Sequence, residues 1–425
     1  MILRFGFENF RSFSDYQELL FTAAKSISKG GMNSLILSEI SDKKVVPVTA
    51  IYGPNNSGKS NLLKALRFFH KCILHADGSK KKPSISKFKL MKEYLDKPST
   101  FDMEFVTEGK HYNYGFKITD NKFEEEWLYE YSYQSRKSRR TLFERRNFKE
   151  FYYGSEFKGK NKTIASTIKD IDLFLPYSAS RFEHPITQPI YDYILNSIRF
   201  RFGTDLREEA IAEALSKNQN SLRVVEFLES IDLEIVEIVI EKVKRDESTL
   251  EFSKKLVSFM AENLDAEIDI ENLPEYERVI KIKKRNHDND IVTFSLIDES
   301  MGTRALISIL TEVFEVIDEG GVFIVDELES SLHPLVSNRI LDIFYDREIN
   351  SRGAQLIFTT HESSLLSHDD MRKDEIWLTD RNIYGETLVT PMLTYKINSK
   401  VNIRKGYLDG RFGGIPVIDK NFPEE

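Results

Sequence analysis

The residues Gly53-Pro54-Asn55-Asn56-Ser57-Gly58-Lys59-Ser60 match the pattern G-x-x-x-x-G-K-[ST] in full. The two glycines permit a backbone path that turns successive N–H groups toward a phosphate, and the helix opening at Asn61 adds its positive end. In such a loop Lys59 reaches the β- and γ-phosphates and the Ser60 hydroxyl ligates Mg²⁺. A structural glycine turn is the plain alternative. It requires neither the lysine nor the hydroxyl. ATP with Mg²⁺ is the expected ligand.

Three further groups bear on the same chemistry. The run Gly320-Gly-Val-Phe-Ile-Val-Asp326-Glu327 is an apolar strand ending in paired acids. Asp326 is expected to organise the metal through its water shell, and Glu327 to polarise an attacking water. A helix cap would also explain an Asp-Glu pair, but not its place after a complete phosphate loop. His361 ends a second apolar run, Leu356-Ile-Phe-Thr-Thr-His361, where an imidazole can meet a γ-phosphate or the attacking water. Ser300 and Gly302, in Asp298-Glu-Ser-Met-Gly-Thr-Arg304, open a helix with a hydroxyl and free N–H groups, which suits either an anion or a simple N-cap. The phosphate loop already holds its own nucleotide, so the Ser300 turn is expected to serve the nucleotide of a second molecule.

Elements must position these groups. Val45 to Tyr52 is a short apolar run suited to a buried strand, and Asn61 to Cys72 carries apolar residues at helical spacing. From about 98 to 155 the pattern alternates, as in Phe101-Asp-Met-Glu-Phe-Val and Trp127-Leu-Tyr-Glu-Tyr, which predicts antiparallel strands. Residues 157–168 read as a polar loop. Residues 185–262, including Ile235 to Lys242, read as helical, without the heptads of a coiled-coil arm. A hairpin over 277–297 turns at Asn286-His-Asp-Asn-Asp290. Then come helix 303–318, strand 322–326, helix 334–346 and strand 355–359, an α/β core resuming after a long interruption.

The phosphate loop, Ser-x-Gly turn, Asp-Glu strand end and His361, in that order, resemble the ABC-type ATPase heads of the SMC and RecF group. Glu8-Asn-Phe-Arg11-Ser-Phe13 resembles that group's N-terminal strand, and the resemblance puts Arg11 near the nucleotide. A closer resemblance is to the AAA-15 (AbiLi/RloA-like) ATPases of bacterial antiphage systems. It is carried by Asp298 to Thr303, Asp326-Glu-Leu-Glu-Ser-Ser-Leu-His-Pro334, Thr359-Thr-His-Glu362 and Gly406-Tyr-Leu-Asp-Gly-Arg-Phe-Gly-Gly-Ile-Pro416. It implies a P-loop NTPase of ABC-ATPase head type, a mixed sheet flanked by helices, with an antiparallel β subdomain and a helical insertion. The expected divisions are 1–97 (N-terminal lobe), 98–180 (β subdomain), 181–276 (helical insertion) and 277–425 (C-terminal lobe). The resemblance also implies a homo-oligomer with at least a head-to-head pair, a separately encoded toxic effector, and an abortive-infection role. A RecF-like DNA-repair ATPase is the alternative, with DNA or a phage component as partner. The signature Glu299-Ser-Met-Gly-Thr303 departs from Leu-Ser-Gly-Gly-Gln, His333 stands where the dimer-facing loop has an acid, and no Gln stands in 98–115 to complete a metal shell.

Composition narrows the classes. The net charge of −8 argues against a dedicated nucleic-acid binder. Two local basic clusters, Arg136 to Arg146 and Lys281 to Arg285, suit a solvated face, nucleic-acid phosphates or an acidic partner. One cysteine, Cys72, excludes an internal disulfide framework, and no apolar run approaches the roughly 20 residues of a membrane span. A cytoplasmic setting is expected.

Overall fold

The computed structural model describes residues 1–25, 27, 35–37, 43–75, 84–119, 122–132, 138–203, 206–217, 219–246, 251, 255, 275–396 and 402–416. They form two compact units, one of residues 1–203 and 316–425, the other of residues 204–315. Among the described residues no helix is long and apolar enough to cross a membrane.

The first unit contains two large sheets. In the first, β1 (Ile2–Glu8) pairs with β2 (Gln17–Leu20) on one side and with β6 (Ser99–Thr107) on the other. It continues through β7 (Lys110–Thr119), β8 (Lys122–Ser132), β9 (Ser138–Arg146) and β10 (Glu150–Tyr153), all antiparallel. The alternating pattern of 98–155 therefore marks strands that share a sheet with the N-terminus. A small ladder joins β3 (Ile36–Leu37) to β4 (Lys44–Val45).

The second sheet has the order β11 (Ile198–Phe202), β15 (Val322–Asp326), β16 (Gln355–Thr360), β5 (Val48–Tyr52), β17 (Ile376–Arg381) and β18 (Thr387–Pro391). Its first five strands are parallel and β18 is antiparallel. The strands β5 and β16 are buried throughout, which is why they read as unbroken apolar runs.

Helix α1 (Lys59–His75) buries Leu62, Leu63, Leu66, Phe69 and Ile73 along one stripe. Phe69 stacks on Phe116 with ring centroids 5.5 Å apart and meets Phe5 edge-on at 5.9 Å, so α1 packs on the antiparallel sheet. Removing that ring would cost about 3–5 kcal/mol by the usual cost of emptying a core site. The two sheets are also tied directly. The buried amide of Gln355 accepts from Ile2 N at 2.7 Å and donates to Ile2 O at 3.0 Å, extending β-type pairing from β1 to the start of β16.

Three expectations need correction. Residues 157–168 include a helix, α2 (Asn161–Thr167), whose Ile164 turns into the core. It is followed by α3 (Phe174–Phe182) and α4 (Thr187–Ser197). The stretch read as a helical insertion also contributes β11 to the parallel sheet. Ile235 to Lys242 are not helical. The second unit contains α5 (Glu208–Leu215), α6 (Asn220–Glu229) and a sheet of β12 (Glu237–Lys244), β13 (Tyr276–Arg285) and β14 (Ile291–Ser295). Ile238 and Ile240 face Ile282 and Ile280 across β12 and β13, so the run follows the period of two rather than a helical one. Most of the helical expectation over 247–262 lies outside the described residues. Helix α7 (Met301–Glu319) ends in the first unit, which also holds α8 (Pro334–Tyr345) and α9 (Ile403–Leu408).

Glu375, at the entry to β17, is fully buried. It accepts from Tyr345 Oη and Arg372 N, while its Oε1 has no partner among the described residues. Burial pushes its pKa up to about 8. Between the ordinary carboxylate pKa and that value, the folded state holds a proton that the unfolded chain lacks. Stability from this group is therefore present at lower pH and lost as pH rises through the window. Glu375→Gln should remove the loss. The difference in Tm, variant minus wild type, should increase from about pH 5 to about pH 9 in thermal scans. A pH-independent difference would show that the carboxyl is ionised throughout.

Candidate functional site

Strands β5, β16 and β15 are adjacent and parallel, so the residues after each strand meet at one edge, where open α/β sheets keep their ligand sites. The phosphate loop leaves β5 and enters α1 at Lys59. Asn56 and Gly58 have φ of +65° and +107°, the left-handed conformation that the loop's curvature needs. A Cβ at Gly58 would collide with the Thr387 side chain. Lys59 is buried, and its ammonium donates to Gly53 O at 2.8 Å and Pro54 O at 3.1 Å across the mouth of its own loop. Burial pulls its pKa down, and Glu327, Glu329 and Asp326 oppose that shift.

Ser60 and Asp326 come together. Ser60 Oγ donates to Asp326 Oδ1 at 3.0 Å, and Thr359 Oγ1 donates to the same oxygen at 2.7 Å. The Thr359 oxygen also accepts from Glu327 N at 2.8 Å. Glu327 has φ of +58° and an exposed side chain, so the strand ends on a residue held in a sparsely populated conformation. His361 is exposed, and its backbone N–H donates to Glu329 Oε1 at 2.5 Å. Partial desolvation of the imidazole and the nearby Lys59 lower its pKa against the pull of Glu329, Glu327 and Asp326, which favours the neutral form. A hydroxyl beside a carboxylate at the phosphate loop is an all-oxygen pair of the type Mg²⁺ takes.

Arg11 lies one residue from the loop's supports. Ser12 makes those contacts, accepting from Asn61 Nδ2 at 3.0 Å and from Thr387 Oγ1 at 2.8 Å. The Arg11 guanidinium instead lies 5.6 Å from the Phe10 ring centroid. Ser300 and Gly302 belong to the second unit. There the Ser300 hydroxyl accepts from Thr303 N at 3.1 Å and caps its own helix. Ser300 is exposed between Ile297 and Met301, which are 69% and 59% exposed. His333 likewise caps α8 by accepting from Leu335 N at 3.2 Å. Cys72 is buried on α1, with its thiol pKa well up for that reason.

Sequence reading missed the polar supports behind the loop. Ser57 Oγ lies 2.6 Å from Thr379 Oγ1, which donates to Tyr52 O at 3.2 Å, and Thr387 Oγ1 sits 2.9 Å from Ser57 O. Thr359 and Glu329 were also missed. Both stand inside motifs quoted for other residues, so that proximity was the available signal.

Residues 48–367 match the family described as "AAA domain, putative AbiEii toxin, Type IV TA system", a span of more than half the chain. The chain belongs to that family. Its fold is that of a P-loop NTPase, a mixed sheet flanked by helices with the phosphate loop between a parallel strand and α1. No curated protein matches it. Among solved structures it is similar to the SMC head domain from Thermotoga maritima, at 15% identity and a TM-score of 0.37, over 92% of this chain and 98% of that one. It is also similar to an SmcHead bound to the C-winged helix domain of ScpA, at 15% identity and a TM-score of 0.40, over 92% and 96%. A third is an Smc head with an extended coiled coil, bound to the C-terminal domain of ScpA and derived from Pyrococcus furiosus, at 13% identity and 0.39, over 92% and 95%. Family membership rests on the family match and not on these likenesses.

Thr359→Val preserves shape but removes the hydroxyl that links Asp326 to Glu327 N. Leaving that N–H unpaired should cost about 1–3 kcal/mol. Thermal unfolding should show a lower Tm, and Thr359→Ser should restore it. Equal Tm values for Val and wild type would mean the link carries no free energy.

Proposed function

We propose that this chain is an Mg²⁺-dependent ATPase that closes its nucleotide between two copies and serves a bacterial antiphage system of the AAA-15 type. The observation that carries the reading is the hydrogen-bonded series Ser60–Asp326–Thr359–Glu327 beside Lys59. It brings a phosphate-binding loop, a metal-type oxygen pair and a free carboxylate to one strand edge.

Gly53 to Asn61 would hold the phosphates, with Lys59 neutralising charge on the transferred group. Ser60 and Asp326 would hold Mg²⁺, which when bound supplies charge stabilisation to the phosphate oxygens. Glu327 would accept the proton of the attacking water. Neutral His361, fixed through its backbone by Glu329, would orient that water or the γ-phosphate. Arg11 stays a candidate for the base or ribose side.

Ser300 and Gly302 would close on the nucleotide of a second copy. Exposed Met301 and Ile297 beside Ser300, and Leu335 at 72% exposure beside His333, support burial of both segments against another chain. The family description, which names a putative AbiEii toxin and a type IV toxin–antitoxin system, supports the defence setting. The regulatory or scaffold role beside a separately encoded effector in the cytoplasm is what the resemblance to the AAA-15 ATPases implies.

Lys59→Ala should abolish ATP binding. Glu327→Gln should keep affinity within a few-fold while turnover falls by about 100-fold or more, the scale of a lost general base. Fluorescent-nucleotide titration and phosphate release measure the two. Wild-type turnover by Glu327→Gln would remove Glu327 from the base role. Turnover per subunit should also fall on dilution through the dimer dissociation range. A rate independent of concentration down to monomer would sink the two-copy site.

A further inference from the structure

Lys64, Arg67 and Lys71 recur at helical spacing on α1 and share one face. With Arg11 they line a cavity of about 430 Å³, floored by Phe10, Phe68 and Cys72. No carboxylate lines it among the described residues. Among the described residues none of the four cations forms an ion pair, and Arg67 instead lies 4.8 Å from the Phe202 ring centroid. In a chain of net charge −8, four cations without an ion pair among the described residues, round one apolar floor, make a local positive field.

The rim is also held under strain. Arg11 has φ of +53°, a conformation that non-glycine residues rarely adopt. It persists because Phe10 and Phe13 exchange both backbone hydrogen bonds at 2.9 Å, and because Arg11 N donates at 2.8 Å to Ser86 O, on the same cavity. The fold thus holds the backbone in an unfavourable state where an unpaired guanidinium meets three other cations.

Lys71 lies twelve residues beyond Lys59 on the same helix. At the helical rise that separates them by about 18 Å. Lys71 is therefore the farthest of the three α1 cations from the terminal phosphates that Lys59 would hold.

We propose that this cavity is a second anion site, which takes the phosphate of a nucleotide unit with its base against Phe68. Cations unpaired in the protein supply the charge complement, the apolar floor suits a flat base, and the volume suits one small ligand. A free nucleotide and a unit within a single strand present the same chemistry.

The test uses the full chain carrying Lys59→Ala, so that the phosphate loop contributes nothing and failure of the ATPase reading leaves the result intact. Two probes are titrated at low salt: a fluorescein-labelled twelve-nucleotide thymidine strand by anisotropy, and ADP by calorimetry. At least one should bind. Adding Lys64→Glu with Lys71→Glu should weaken it by at least about tenfold, and for the strand should flatten the slope of log K against log salt by about 2. Binding of the strand alone assigns a polymer, and binding of ADP alone a free nucleotide. The Gln pair at the same positions, checked by Tm, should weaken binding in the same direction without reversing charge. Failure of both probes to bind, or unchanged affinity in the folded double variants, overturns the site.

Discussion

One carboxylate oxygen, Asp326 Oδ1, receives a hydroxyl from Ser60 and another from Thr359. Ser60 stands on α1, and Thr359 on the strand beside Asp326's own. A half-buried carboxylate is costly to desolvate, and two donors aimed at one oxygen offset that cost only if all three elements keep their places. The requirement constrains the sheet. Strands β15, β16 and β5 must be neighbours, parallel and in register to within a residue, since a slip of one would turn Thr359 to the other face.

Strand β16 carries this constraint to both ends of the molecule's larger unit. At its finish Thr359 joins the acid pair, and at its start Gln355 binds both backbone groups of Ile2. The same buried strand therefore positions the chemistry and fastens the antiparallel sheet. Helix α1 repeats the arrangement, with Lys59 and Ser60 at its first turn and Phe69 in the aromatic core two to three turns later. Residues that hold ligand-facing groups and residues that hold the fold are thus on the same two elements.

Contiguous motifs were legible in the sequence, because a buried parallel strand is an apolar run and its functional residue follows at once. Gly53 to Ser60, Asp326, Glu327 and His361 were singled out this way, and each stands at or just past the end of a strand of the parallel sheet. Contacts created by strand order were not. Nothing local marks Thr379 or Thr387 as supports for Ser57, since β17 and β18 reach the loop only by lying beside β5. Glu329 was hidden for the same reason, its partner being the backbone N–H of His361, just past the end of β16. The misreading of Ile235 to Lys242 has another origin. Paired apolar residues at 235–236 and 238–240 fit a helix stripe as well as a strand, and only pairing with β13 separates them.

The C-terminal segment shows why a motif far from the phosphate loop belongs to its physics. Gly414 N donates to both oxygens of Asp380, on β17, at 2.9 Å, and Tyr407 Oη donates to Gly414 O at 2.8 Å. Gly413 has φ of +71°, and a Cβ there would press on the Asp380 carboxylate, so the turn admits no side chain. So fixed, the Tyr407 ring meets Tyr52 at 5.6 Å, directly before Gly53. Thr379, on the same strand as Asp380, holds Tyr52 O and the Ser57 hydroxyl from the other direction. The loop is flexible in composition yet braced from β17, β18 and the C-terminal turn. Its stiffness is therefore a long-range property, and a change at Asp380 or Tyr407 acts on the loop without touching any of its residues.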